Sequence, residues 1–320
     1  MLEKTIKKVL SRKISSWLDS IEDPVVRKKI EKNIVVTGGC FTSFLQNDKP
    51  KDYDVYLRTQ ESVIAVAEYY VKKFNKNHDN SASVIVESDL DLVGTFDPEV
   101  NPKEGYVYSQ YTSRFKKNGR VRIFISSAGV AGQIEDNHIE DMELGADPVE
   151  EIAKKENEEV KEKFLPVFLS SNAITLSEDI QVVVRFYGDP EKIHETYDFV
   201  HTKAYWTTEE KVVVIPKEVY EAVLNKTLIY TGSKYPVCSV VRMRKFINRG
   251  WRINAGQILK MAMQISALDL TNIDVLEDQL IGVDSLYFTM LIEKFREKLS
   301  ENKDFKIDGT YVGTLIDRLM

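Results

Sequence analysis

A chain of 320 residues with 43% apolar and 29% charged positions has the balance of a globular protein with room for about two domains, which excludes a disordered polymer. A net charge of −6 argues against nucleic-acid binding by whole-protein electrostatics, though not against a local basic stripe. No apolar run approaches the ~20 residues of a membrane helix, and MLEKTIKKVLSRKISSWL lacks the apolar centre of a secretion signal, so the expected location is cytoplasmic.

In chain order, spaced apolar positions among Lys and Arg predict helices over 3–20 and 23–33, with Pro24 suited to a first helical turn after Asp23. NIVVTGG is a short β-branched run ended by glycines, hence a strand and a turn. FTSFLQN predicts a short helix, KDYDVYLR a second strand, residues 61–77 a helix and SASVIVES a third strand. This alternation predicts α and β layers around a sheet. From Asp97 the texture changes: YVYSQYTSR and RVRIFIS read as a β pair, and an acidic, aromatic-poor stretch follows to about Glu162, which reads as an insertion. Strands return in PVFLSSNAITL and IQVVVRFYG, followed by a helix in DPEKIHETY, a β-like run in DFVHTKAYW, and a strand and helix around Pro216. After Pro236 the pattern is predominantly helical. The expected domains are therefore a head over 1–235, with an insertion at about 97–165, and a helical region over 236–320.

Aspartate is depleted in strands, yet KDYDVYL carries two. Alternation puts Asp52 and Asp54 on one face, about 7 Å apart at the ~3.3 Å rise of a strand. Such a pair repels unless a cation lies between. With two cysteines, four histidines and no zinc-ligand spacing, a disulfide framework and a structural zinc site are not expected, and any metal is expected to be held by oxygen. The bland alternative is a tight turn followed by a solvated strand end.

A strand ending in Gly38-Gly39, a short helix, and Asp-x-Asp about a dozen residues later resembles the head of the DNA polymerase β-like nucleotidyltransferases. Pro50-Lys51-Asp52-Tyr53-Asp54 is most similar to the second motif of bacterial CCA-adding enzymes and poly(A) polymerases. The resemblance implies an α+β nucleotidyltransferase head, a mixed β-sheet flanked by helices, followed by a helical C-terminal region. It also implies transfer of a nucleoside monophosphate from an NTP to a hydroxyl acceptor, an RNA 3′ end above all, with two Mg²⁺ ions held by Asp52, Asp54 and a third carboxylate. Gly38, Gly39, Thr42, Ser43 and Lys51 are then the expected triphosphate contacts, near the positive end of the helix beginning at Cys40.

YDFVHTKAYW resembles the Arg-Arg-Asp-Phe-Thr-Ile-Asn segment of the same class with Asp198 and Phe199 in register, which makes Asp198 the expected third ligand; Glu87, Asp89 and Asp91 are rivals. Glu195, Thr196 and Tyr197 precede Asp198 where the class has its arginines, so those arginines' nucleotide contacts do not carry over. VVRMRKFINRGW resembles the neck segment, matched by Val241, Arg242, Lys245, Phe246, Gly250 and Trp251. Arg242, Lys245 and Arg249 share a helix face and read either as nucleotide or backbone contacts or as a solvated face. His194 and His201 read as structural, and the aromatics of KAYW and RGWR as core or as base-stacking platforms.

Two departures stand out: the class's Arg-Asp after Gly-Gly is replaced by Thr42 and Ser43, and its tRNA-binding helices have no counterpart after Ile253. A protein or small-molecule acceptor, or a catalytically degenerate nucleotide-binding module, therefore remain alternatives. In overall look the chain also resembles proteins of large tailed phages, which implies the host cytoplasm.

Overall fold

The structure is a computed structural model. It describes residues 2–76, 82–87, 120–125, 163–170 and 172–280, together with 295–296, 300, 309 and 313.

Helix α1 (Glu3–Ser20) buries Ile6, Leu10, Ile14 and Trp17, a stripe at helical spacing. In α2 (Pro24–Ile30) the Asp23 carboxylate accepts from the Val25 and Val26 amides, and proline occupies the first turn, where its missing N–H costs nothing. Strand β1 (Ile34–Thr37) is buried throughout, as expected of a β-branched run inside a sheet. It ends at Gly38, whose φ of +90° suits a residue without a Cβ, and α3 (Gly39–Leu45) begins at once. Strand β2 (Tyr53–Leu57) and α4 (Gln60–Asn75) follow, α4 capped by Thr59. Trp17 Nε1 donates to the buried Tyr70 hydroxyl at 2.8 Å, tying α1 to α4.

Strands β3 (Ala82–Glu87) and β4 (Arg120–Ile125) pair with each other in an antiparallel ladder. The RVRIFIS run is thus a strand, but its partner is SASVIVES, placed by the Ala82↔Ile125 register; YVYSQYTSR, the partner expected from sequence, lies outside the described residues. The acidic part of the expected insertion lies outside them as well.

Next come β5 (Pro166–Leu169), β6 (Ala173–Leu176), β7 (Ile180–Tyr187), α5 (Pro190–His194), a 3₁₀ turn over Val200–Thr202, β8 (Tyr205–Thr207) and β9 (Val213–Val214). The main sheet has seven strands in the order β5-β6-β7-β2-β1-β8-β9. It is mixed, because β2 runs parallel to β7 and antiparallel to β1. Its principal core takes Val36, Val55, Leu57, Ile180, Val182 and Val184 from one face, with Phe41, Phe44, Val66 and Tyr70 from the helices. A smaller cluster on the opposite face joins Val35 and Tyr56 to Ile193 of α5. DFVHTKAYW departs from the sequence expectation: Phe199 makes an isolated bridge to Tyr230, the chain turns in 3₁₀ form, and a strand begins only at Tyr205. The Thr202 hydroxyl, donating to Phe199 O at 2.8 Å, favours that turn over extended backbone.

Helix α6 (Lys217–Leu224) starts just past Pro216. Strands β10 (Thr227–Leu228) and β11 (Arg252–Ile253) pair in parallel, and between them runs α7 (Pro236–Asn248). Helices α8 (Ala255–Ile265) and α9 (Ile273–Leu280) complete a helical C-terminal region. The architecture is the expected α+β class: a mixed sheet flanked by helices, followed by a predominantly helical C-terminal region among the described residues. Among the described residues no helix is long and apolar enough to cross a membrane.

Candidate active site

The site is built where β1 stops. Antiparallel pairing sets Thr37 opposite Asp54, so the residue after Thr37 reaches the side chain of Asp54. A Cβ added to Gly38 would lie 2.4 Å from Asp54 Oδ2 and 3.3 Å from its Cγ, so the carboxylate rests on the Gly38 α-carbon. Gly39 is different, since a Cβ there would meet nothing within 4 Å. The Gly38 amide donates to Thr202 O at 3.2 Å, which ties the corner to the 3₁₀ turn.

Asp54 is half-buried and Asp52 exposed. Both lie near the first turn of α3: the buried Cys40 thiol is pushed up chiefly by burial, then by the negative charges of Asp54 and Asp52. Cys40 and Cys238 are free and buried.

Alternation along β2 gives Asp54 and Tyr56 one face, and on that face lie Thr37, across the ladder from Asp54, and Tyr197, against Tyr56. Thr37 donates to Ala204 O at 2.7 Å and lies 2.8 Å from His194 Nε2, so the imidazole donates to Thr37 with its proton on Nε2. Burial, aided by the charge of Lys203, lowers His194 to about 4. The Tyr197 hydroxyl is pushed well above its ordinary value by burial, by its neighbour Tyr56 and by the Asp54 charge, and its ring centroid lies 6.1 Å from that of Tyr56. Thr37 and Tyr56 are not among the residues the sequence singles out, and Tyr197 stands there only as a replacement for the class's arginines. The signal available there was the period of two that puts Tyr56 beside Asp54.

Asp198 is buried, and its Oδ2 accepts from Arg242 Nη1 at 2.7 Å. Burial acts to lower the Arg242 pKa, but Asp198 outweighs it and the net shift is upward. Tyr56 contributes to the same upward shift, which places the guanidinium near the Asp54–Tyr56 face. Among the described residues no three His, Cys, Asp or Glu side chains are grouped closely enough to hold a metal ion. The structure therefore brings Asp52 and Asp54 to one corner and sets Asp198 against a cation.

The other expected contacts are spread more widely. Thr42 is buried and donates to His201 O at 3.0 Å, and Ser43 donates to Gly39 O at 3.4 Å. Lys51 is exposed, as are Lys245 and Arg249 on α7 and its C-terminal cap, with the Arg249 guanidinium 5.8 Å from the Phe246 ring centroid. Glu87 ends β3 in the separate two-stranded sheet, while Asp89 and Asp91 lie outside the described residues. His201 is fully buried between Phe246 and Trp251, with ring centroids at 4.3 and 4.4 Å, and neither ring nitrogen has a hydrogen-bond partner. The KAYW and RGWR tryptophans, Trp206 and Trp251, are both core residues.

Residues 8–226, about two thirds of the chain, match the family described as Gabija anti-defense 2, and the chain belongs to that family. No curated protein matches. Among solved structures, one described as the apo form I of a CCA-adding enzyme aligns over 89% of this chain at 11% identity, with a TM-score of 0.36. The chain spans about half the length of that protein, covering 53% of it.

Proposed function

We propose that this protein is a metal-dependent nucleotidyltransferase that moves a nucleoside monophosphate from an NTP to a hydroxyl acceptor, releasing pyrophosphate. The observation that carries the reading is the seating of the Asp54 carboxylate on Gly38, at a strand–turn–helix corner with Asp52 in the residue just before β2. Two carboxylates form an oxygen donor set, which suits a hard cation. Magnesium typically takes one or two protein carboxylates and leaves its other positions to water and substrate phosphates. Asp52 and Asp54 would hold such an ion, which supplies charge neutralisation at the phosphates and activation of the attacking oxygen.

The chain's own groups do the positioning. Gly38 lets the acid approach the backbone, and the adjoining Tyr56 and Tyr197 rings pack the face on which it stands. Arg242, held by Asp198, presents a permanent positive charge near Tyr56 that would offset the triphosphate. In this reading Asp198 orients Arg242 and is not an ion ligand.

An RNA 3′ end is the acceptor expected from sequence. Membership in a family named for acting against the Gabija defence favours a second reading, in which the acceptor hydroxyl belongs to a protein of that defence. Incubation with each α-labelled NTP and Mg²⁺, separately with RNA oligonucleotides and with purified Gabija proteins, distinguishes the two by where label appears. Unchanged labelling by the Asp52→Ala, Asp54→Ala double variant would refute the catalytic assignment. Tight NTP binding with no transfer to any acceptor would leave a nucleotide-binding module.

A further inference from the structure

Helix α8 is inside out. Its body-facing side is mainly polar: Gln257 Oε1 accepts from the Tyr230 amide at 3.0 Å, and Gln264 Oε1 accepts from the Tyr230 hydroxyl at 2.5 Å. Met261, between them, is buried. Ile258, Leu259, Ala262 and Met263, at i, i+1, i+4 and i+5, form one stripe on the exposed side. Ile258 is 45%, Leu259 60% and Met263 66% exposed, and Ile247 on the preceding helix is 43% exposed. Scattered exposed apolar residues need no explanation, but a contiguous helical stripe of them marks an interaction surface.

Charge says what kind. Between Glu221 and Asp269 the chain has no aspartate or glutamate, although it is acidic as a whole. The same span holds the exposed cations Arg244, Lys245, Arg249, Arg252 and Lys260. Two such faces meeting symmetrically would set like charges together, which disfavours a second copy as the occupant. Nucleic acid would use the cations but leave the stripe of Ile, Leu and Met without a role. A protein groove that is apolar at its centre and rimmed by carboxylates satisfies both features, as in helix-in-groove recognition. The face also lies beyond residue 226, where the family match ends.

We propose that the outward face of α8, with the neighbouring cations of α7, docks the acceptor protein of the Gabija system through a carboxylate-rimmed apolar groove. This rests on the protein-acceptor reading above. The probes are the purified Gabija proteins, singly and together, and a single-stranded RNA oligonucleotide, titrated against full-length chain. The expected result is that one Gabija protein binds, that Leu259→Glu with Met263→Glu weakens it about 30-fold at unchanged melting temperature, and that label transfer to it falls in step. Asp54→Asn should bind as wild type while transferring nothing. Equal binding by wild type and the α8 variant overturns the docking face while leaving the nucleotidyltransferase reading intact. Binding of RNA alone, or of no Gabija protein, also overturns it. Loss of fold in the double variant is met by Leu259→Ser, a small polar substitution at a solvent position that should weaken binding while leaving the melt unchanged.

Discussion

Gly38 and Asp54 occupy the same space economically: the carboxylate lies where a side chain at position 38 would be, and the φ of +90° keeps the glycine backbone turned to receive it. Gly38→Ala therefore strains the backbone and displaces the acid. The expected cost is about 1–3 kcal/mol in urea unfolding, with loss of nucleotide transfer. Gly39→Ala, which meets no protein atom, should leave the unfolding free energy near wild type.

The Asp198–Arg242 pair couples a core loop to α7. A double-mutant cycle with Asp198→Asn and Arg242→Gln should return a coupling of about 0.5–2 kcal/mol. The lower part of the range applies, because the Arg242 side chain is 36% exposed and solvent screens the pair. Arg242→Gln should also weaken NTP binding, read by isothermal titration.

Acid should unfold this protein through its histidines. Burial lowers His201 to about 3, against the pull of Asp198, and lowers His194 to about 4. Both are neutral when folded and take up a proton near pH 6.5 when unfolded, so stability is full above that pH. It declines as pH falls from about 6.5 toward 3 to 4, by at most about 1.4 kcal/mol per pH unit for each histidine. Chemical denaturation at a series of pH values should show this slope, and His201→Phe, which keeps the aromatic packing, should reduce it by about one proton.

Asp52 and Asp54 should separate stability from chemistry. Asp52→Asn, at an exposed position, is expected to change unfolding free energy by less than about 0.5 kcal/mol while transfer falls at least about a hundredfold. A stability loss without an activity loss would assign Asp52 to structure.

Much of the corner was legible in the sequence. The β-branched run Ile34–Thr37, the two glycines and the alternation through Tyr53–Asp54–Val55 are local signals, and each produces its local element, whereas Asp52, expected in the strand, stands just before it. Asp198 shows the limit. Its partner Arg242 lies 44 residues on, and no local pattern distinguishes an acid that will meet a cation there from one that faces a metal. The same holds for α8: helical period reveals an apolar stripe but not which way the helix is rolled, and the roll is decided by Gln257 and Gln264 finding Tyr230. In DFVHTKAYW, side-chain bonds to the backbone made a turn where β-propensity favoured a strand.

The most direct measurement of the central claim is Mn²⁺ binding, followed by electron paramagnetic resonance in the presence of a non-hydrolysable NTP. The wild-type protein should show one saturable site that is lost in Asp54→Asn and severely weakened in Gly38→Ala. Equal Mn²⁺ affinity in wild type and Asp54→Asn would contradict it.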